Sequence, residues 1–249
     1  MVAVANSTAA ILIQKLSGAG GLSDAEQDGL RGLPVAVRTV AARQDILRDG
    51  DATGSCCILL DGWTCCYQML NGGRRPILAI HVPGDLPDLQ SLHLPEPDFG
   101  MVALTPATLG FVPHAAVRRL MEAFPNLAAA FWREALILAA IQRAWMAGLS
   151  RRDARGRLAH LCCELYLRLS STGRTDGPAM PMPLRQHDLA DALGLTPVHV
   201  NRTLKDLRDA GLISLHGRRL EILDWLGLRL AAEFDDQYLH LNSAEHAFA

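Results

Sequence analysis

The spacing of apolar residues along the chain changes rhythm several times, and each change marks a part. Up to about Leu33 they recur at helical spacing, and Leu22-Ser23-Asp24-Ala25-Glu26 carries the serine-then-acid signal of a helix start. From Val35 to Pro113 the pattern becomes short strands punctuated by turns. Residues 55–60, 63–69 and 75–81 read as strands, with Asp61-Gly62 and Asn71-Gly72-Gly73 as the turns between them. Two more strands, 100–104 and about 108–112, follow a Pro-rich loop. Closely spaced short strands with glycine turns predict a compact barrel or roll.

From residue 125 to about 149 the period is helical again. Phe131, Leu138 and Trp145 lie seven apart, with Leu127, Ala135 and Ile141 between them. That spacing approximates a heptad seam through which a helix pairs with a copy of itself. The competing reading is an amphipathic helix laid on its own sheet. Gly148 and Ser150 are expected to interrupt this helix, and the arginine-rich run from Arg151 to Arg157 opens a second one ending near Ser171. Residues 172–183, rich in Gly, Pro, Ser and Thr, form a loop. The last part holds short helical and strand pieces and a helix near residues 225–234. The chain thus divides into 1–124, 125–149 and 150–249.

The most informative stretch runs from Gln186 to Leu204. Ala190 stands where two helices cross and only a small side chain fits. Gly194 supplies the turn between them, where a Cβ would be strained. Thr196 is a good N-cap, and Pro197 takes the first helical position, where its missing N–H costs nothing. Val200, Leu204 and Leu207 share the inward face, which turns Val198, Asn201, Arg202, Lys205 and Arg208 outward. Arg forks onto guanine, Asn pairs with adenine and Val contacts a thymine methyl, so this stripe suits the major groove. Lys205 and Arg208 are assigned to phosphates. Gly211 stops the helix; residues 212–215 and 218–223, joined at His216-Gly217, form a hairpin wing carrying Arg218 and Arg219. The candidate DNA-contacting set is Thr196, Pro197, Val198, His199, Asn201, Arg202, Lys205, Arg208, Arg218 and Arg219.

Charge adds one point. The net charge is −2, which alone suggests no nucleic-acid partner. Yet residues 151–219 hold 12 Lys or Arg against 7 Asp or Glu, while residues 76–117 hold no Lys or Arg. That asymmetry marks a local polyanion-binding surface. Residues 1–21 lack the basic start and unbroken apolar run of a secretory leader, and no stretch has the ~18 apolar residues of a membrane span. A cytoplasmic protein is expected.

The order of strands, long helix and winged helix-turn-helix resembles the Crp/Fnr family of bacterial regulators. The resemblance is carried by the run Arg151-Arg152-Asp153-Ala154-Arg155-Gly156-Arg157-Leu158-Ala159-His160-Leu161-Cys162-Cys163-Glu164-Leu165, by Leu195 to Leu204, and by the closing Phe234-Asp235-Asp236-Gln237-Tyr238-Leu239. It implies an α+β protein with a cyclic-nucleotide-binding-like β-roll sensor over 1–124, a dimerisation helix over 125–149 and a winged helix-turn-helix over 150–249. It implies a homodimer on a two-fold symmetric operator, a contact with RNA polymerase, and a base-reading role for Arg202. The chain departs from the family's cyclic-nucleotide pattern. The expected effector-pocket residues are Gly84, Asp85, Leu86 and Leu89, but no arginine follows until Arg118. A buried phosphate without a cationic partner is electrostatically costly, so cyclic AMP is not expected. No cysteine precedes Cys56, so an iron–sulfur cluster is not expected either. Val198 stands where many members carry a glutamate that accepts from cytosine, so the target sequence should differ.

Other chemistry is sparse. If Asp61-Gly62 were a two-residue hairpin turn, Cys57 would face Cys66 across the strands, and a reversible disulfide would make the roll a redox sensor. The plainer reading treats free cysteines as small apolar core residues. His81, His93 and His114 raise a haem alternative, but scattered histidines make such coincidences common. No metal-ligand spacing, catalytic triad or Gly-rich phosphate loop supports an enzyme. A ligand-binding module without DNA binding is the remaining alternative.

Overall fold

The computed structural model describes residues 2–17, 21–94 and 96–241. Met1, 18–20, Pro95 and 242–249, which the sequence pattern assigns to the lead-in, the Pro-rich loop and the end of the last domain, lie outside the described residues. The protein mixes helix and sheet in two compact units, Met1–Met69 with Ala79–Leu138, and Leu70–Leu78 with Ala139–Ala249.

The first unit opens with helices α1 (Val2–Leu16) and α2 (Asp24–Arg31). Ser23 starts α2 as expected: its hydroxyl accepts from the Glu26 N–H, while Glu26 Oε2 accepts from the Ser23 N–H at 2.8 Å. This reciprocal cap satisfies two helix-start donors. Seven strands follow: β1 (Ala36–Val40), β2 (Asp45–Leu47), β3 (Ser55–Asp61), β4 (Thr64–Tyr67), β5 (Ile77–His81), β6 (Gly100–Ala103) and β7 (Ala107–Pro113). They form two antiparallel sheets, ordered β1-β7-β3 and β2-β6-β4-β5.

This topology corrects one expectation. β3 and β4 are not a hairpin: β3 pairs with β7 and β4 with β6. The chain changes sheet at Gly62, whose φ is +83° and where a Cβ would run into the Pro106 carbonyl and Ala107. Glycine is required here by both its dihedral and the close backbone approach. Cys57 therefore lies opposite Phe111, and Cys66 opposite Met101, not opposite each other.

Apolar side chains from distant segments close the core of this unit. Leu12 and Leu16 of α1 meet Leu30, Leu33, Ile58, Leu86, Leu89 and Leu92, together with Leu120 of α3 (His114–Ala123). Leu127 and Phe131, from the first turns of α4 (Pro125–Arg151), complete it. Helix α4 runs through Gly148 and Ser150 without the expected break. Ser150 Oγ donates to the Ala147 carbonyl at 2.9 Å, so its hydroxyl is satisfied inside the helix.

The second unit is built on α5 (Ala154–Ser170), with β8 (Ala179–Pro181), α6 (Gln186–Leu193), α7 (Pro197–Asp209), β9 (Ile213–His216), β10 (Arg219–Ile222) and α8 (Trp225–Ala232). Asp153 starts α5 by accepting the Gly156 N–H at 2.7 Å. Strands pair in the order β8-β10-β9, and α5 packs against α6, α7 and α8. Glu164 of α5 is fully buried yet well partnered. Oε2 accepts from Trp145 Nε1 and from the Tyr238 hydroxyl, both at 2.9 Å, and Oε1 accepts from Arg168 Nη1 at 3.0 Å. Burial pushes the Glu164 carboxyl above its usual range, and the neighbouring Arg168 charge opposes that rise most strongly.

Candidate nucleic-acid interface

The helix-turn-helix forms as its spacing predicts. Gly194 has a left-handed φ of +62° between α6 and α7, a conformation that a Cβ disfavours. Thr196 Oγ1 accepts from the His199 N–H at 3.2 Å, and Pro197 fills the first position of α7. Ala190, Val200, Leu204 and Leu207 are buried. Thr203 is buried with them, a position absent from the inward set read from the sequence, and its hydroxyl donates to the His199 carbonyl at 2.9 Å.

The opposite face of α7 is open. Val198, His199, Asn201, Arg202, Lys205 and Arg208 are all exposed, as is Thr196 at the cap, while Pro197 is half-buried. Val198 is 76% exposed, an apolar side chain with nothing of its own chain to cover it. Asp206 and Asp209 are exposed on the second half of α7, so its first two turns are the acid-free part. The wing is present as β9 and β10, paired antiparallel with Arg219 opposite His216. Arg218 and Arg219 are exposed, and Arg219 Nη2 forms an ion pair with Asp176 Oδ2 at 2.6 Å. Arg185 is not among the residues that the sequence pattern singles out. It is exposed at the start of α6, where a first helix crosses the DNA backbone in such motifs. The signal for it is its place, one residue ahead of α6.

The residues expected to form a pairing seam on α4 are for the most part covered by the chain itself. Leu127, Phe131 and Ile141 are buried within this chain, so they are not available to a second copy. Ala135 and Leu138 are half-buried, and Trp145 is held by Glu164. The exposed large apolar residues of α4 are Trp132, Leu136, Met146 and Leu149. Trp132, Ala139 and Met146 keep the seven-residue repeat one position further along.

The effector-pocket residues are placed as follows. Gly84 takes a positive φ, and its N–H donates to the Leu59 carbonyl at 2.8 Å. Asp85 accepts the Val82 N–H at 2.8 Å and faces Lys15 Nζ at 3.3 Å, which also meets Glu134 at 3.3 Å. Leu86 and Leu89 point into the core. Asp88 is buried, its Oδ1 accepting the Cys57 N–H at 2.7 Å. Arg118 donates to the Leu92 carbonyl.

All six cysteines are buried, and none is joined in a disulfide. Burial pushes the Cys57 and Cys66 thiols well up from their usual range, which keeps them protonated and poorly nucleophilic. Cys66 Sγ lies 3.3 Å from His81 Nε2. Among the described residues no cluster of three or more His, Cys, Asp or Glu is placed to hold a metal ion, and no helix is long and apolar enough to cross a membrane.

Comparison with known proteins agrees with this geometry. Residues 156–231 match the Crp-like helix-turn-helix domain, and residues 37–124 match the cyclic nucleotide-binding domain. The nitrogen fixation regulation protein FixK of Azorhizobium caulinodans is 29% identical over 192 residues, covering 76% of each chain. The transcriptional activator protein FnrL of Cereibacter sphaeroides is 25% identical over 205 residues, covering 80% of this chain and 81% of its own. Among solved structures, FixK2 from Bradyrhizobium japonicum shares the fold with a TM-score of 0.71 at 22% identity, over 80% of this chain and 98% of that one. With a match to the cyclic nucleotide-binding domain in front, a long helix between, and a match to the Crp-like helix-turn-helix domain behind, the chain belongs to the Crp/Fnr family of DNA-binding transcription regulators.

Proposed function

We propose that the protein regulates transcription from the cytoplasm as a homodimer that reads a two-fold symmetric operator with α7. The observation that carries this reading is the exposed stripe Val198, Asn201, Arg202 and Lys205 on a helix anchored by the Thr196 cap and the Gly194 turn. Arg202 forks onto a guanine edge, Asn201 pairs with adenine, and Val198 covers a thymine methyl. Arg185, Lys205, Arg208 and the wing arginines Arg218 and Arg219 bind phosphates and set the register.

Pairing uses the outer face of α4. Trp132, Leu136, Ala139 and Met146 supply an apolar row at alternating spacings of four, three and seven, which a second helix covers in the manner of a coiled coil. The paired chain also contacts RNA polymerase, and it carries no catalytic role. Within the roll, Asp85 and Glu134 share Lys15 between them, Asp88 is buried against the Cys57 N–H, and Leu86 and Leu89 are committed to the core, so the Lys15 cation is already held by two carboxylates. These residues do not fit an anionic cyclic nucleotide. The cross-strand opposition behind the cysteine-based redox alternative is not formed, because Cys57 lies opposite Phe111 and Cys66 opposite Met101.

Selection of bound duplexes from a random pool by the purified chain tests the reading. Enrichment of an inverted repeat with half-sites about one DNA turn apart (~10–10.5 bp) supports it. No enrichment over background at modest salt contradicts it.

A further inference from the structure

The junction of α4 and α5 gathers more positive charge than the described residues neutralise. Arg152 Nη2 donates to the Glu233 carbonyl at 3.2 Å, and Arg157 Nη1 to the Leu193 carbonyl at 2.7 Å. Each guanidinium is thereby pinned by one edge. The inner donors, Nε and Nη1 of Arg152 and Nε of Arg157, are buried with no acceptor in reach among the described residues. Neither arginine forms an ion pair among the described residues. Buried N–H groups ordinarily find partners, and buried cations do so more strictly.

Arg152 and Arg157 line a cleft with Trp145, Gly148, His160 and Leu193, their inner donors closed off behind its wall; it measures about 280 Å³ including its open mouth. Arg152 packs its guanidinium over Gly148, with Nη1 2.9 Å from where a Cβ would stand. Burial, followed by the Arg152 charge, pushes the His160 imidazole down to about 4, so it is neutral and leaves the arginine charges uncompensated. The rest of the wall is apolar, which strengthens any charge pairing inside.

We propose that this cleft binds a small oxyanion, a carboxylate or phosphate group, gripped by Arg152 and Arg157. Two guanidiniums presenting N–H groups from different sides suit an oxyanion with several acceptor oxygens. The walls come from the last turns of α4, the first half of α5 and the end of α6, so a bound anion bridges the long helix and the helix-turn-helix within the C-terminal unit. A free anion and the DNA backbone both carry this chemistry. Helix α7 contributes no residue to the cleft, which favours the free anion. The site does not depend on DNA reading, and neither does its test.

Full-length protein labelled at its tryptophan indoles reports on the cleft, because Trp145 lines it and one of only four indole signals belongs to it. Trp145→Phe assigns that signal. Inorganic phosphate and acetate are titrated separately at constant ionic strength, with chloride as the control and without DNA. The expected result is a saturable shift of the Trp145 signal with phosphate, acetate or both, weakened at least tenfold in Arg152→Gln and Arg157→Gln. If the Gln variants lose their fold, Arg152→Lys and Arg157→Lys keep the charge and are expected to weaken binding through loss of the forked contact. A shift that fails to saturate, that chloride reproduces, or that survives the substitutions overturns the site. A shift seen only on adding duplex DNA overturns the free-anion assignment and gives the arginines to the DNA backbone.

Discussion

Trp145 and Glu164 are joined by a 2.9 Å hydrogen bond from the indole Nε1 to carboxylate Oε2. That bond fixes which side of α4 faces outward. With Trp145 turned toward α5, and Phe131 sunk into the roll core, the face left over is that of Trp132, Leu136 and Met146. The apolar row of α4 is therefore two rows, one used by the chain itself and one exposed.

This separation makes the two faces distinguishable by mutation. Leu136→Glu places a charge on the outer row and is expected to weaken self-association at least tenfold, about 1.4 kcal/mol, with little change in chain stability. Trp145→Phe removes a hydrogen bond to a buried carboxylate and is expected to lower stability by about 1.5–3 kcal/mol while leaving self-association intact. Sedimentation equilibrium and urea unfolding separate the two. The reverse pattern would restore the seam to the Phe131–Trp145 row.

Asp88 gives the roll a defined pH dependence. Burial raises its carboxyl from 3.8 to about 7, against the Cys57 N–H bond that opposes the rise. The folded state therefore holds a proton that the unfolded chain has released. The resulting stabilisation is full below the unfolded value and is lost as pH rises toward 7, at up to about 1.4 kcal/mol per pH unit between. Asp88→Asn keeps an oxygen for the Cys57 N–H and is expected to flatten this slope. Urea midpoints of both proteins at pH 5 and pH 8 check it, and identical slopes would contradict it.

The buried thiols give a third expectation. Cys57 and Cys66 are in the roll interior with thiols held well above their usual range, so a thiol reagent should modify neither until urea unfolds the chain. Mass mapping of the modified sites decides. Rapid labelling of either in the folded protein would return a redox role to consideration.

What is legible in the sequence depends on how local the determining contacts are. The helix-turn-helix is set by residues within one short stretch: Ala190, Gly194, Thr196, Pro197 and Val200 impose their geometry on each other. Its cap, turn and outward face are all readable. The pairing of β3 is not, because its partner β7 lies some fifty residues away and the apparent Asp61-Gly62 hairpin turn is a crossing between sheets. Glycine at residue 62 looks the same in the sequence whether it serves a turn or a close approach to Pro106. Which of the two apolar rows of α4 the chain covers is hidden in the sequence for a related reason. Phe131 and Trp132 are adjacent and both apolar, and only the roll that covers Phe131 tells them apart. The unpartnered donors of Arg152 and Arg157 are invisible in the sequence, since their surroundings are assembled from α4, α5, α6 and the Glu233 carbonyl.

Sequence reading by the exposed face of α7 turns on Arg202 reaching base edges. The decisive measurement is the affinity of Arg202→Ala for a selected operator and for a scrambled duplex at the same salt. A loss of about 1–3 kcal/mol on the operator with little change on the scrambled duplex is the predicted result. Equal losses on both would show that Arg202 touches only phosphate, and would contradict base recognition by this helix.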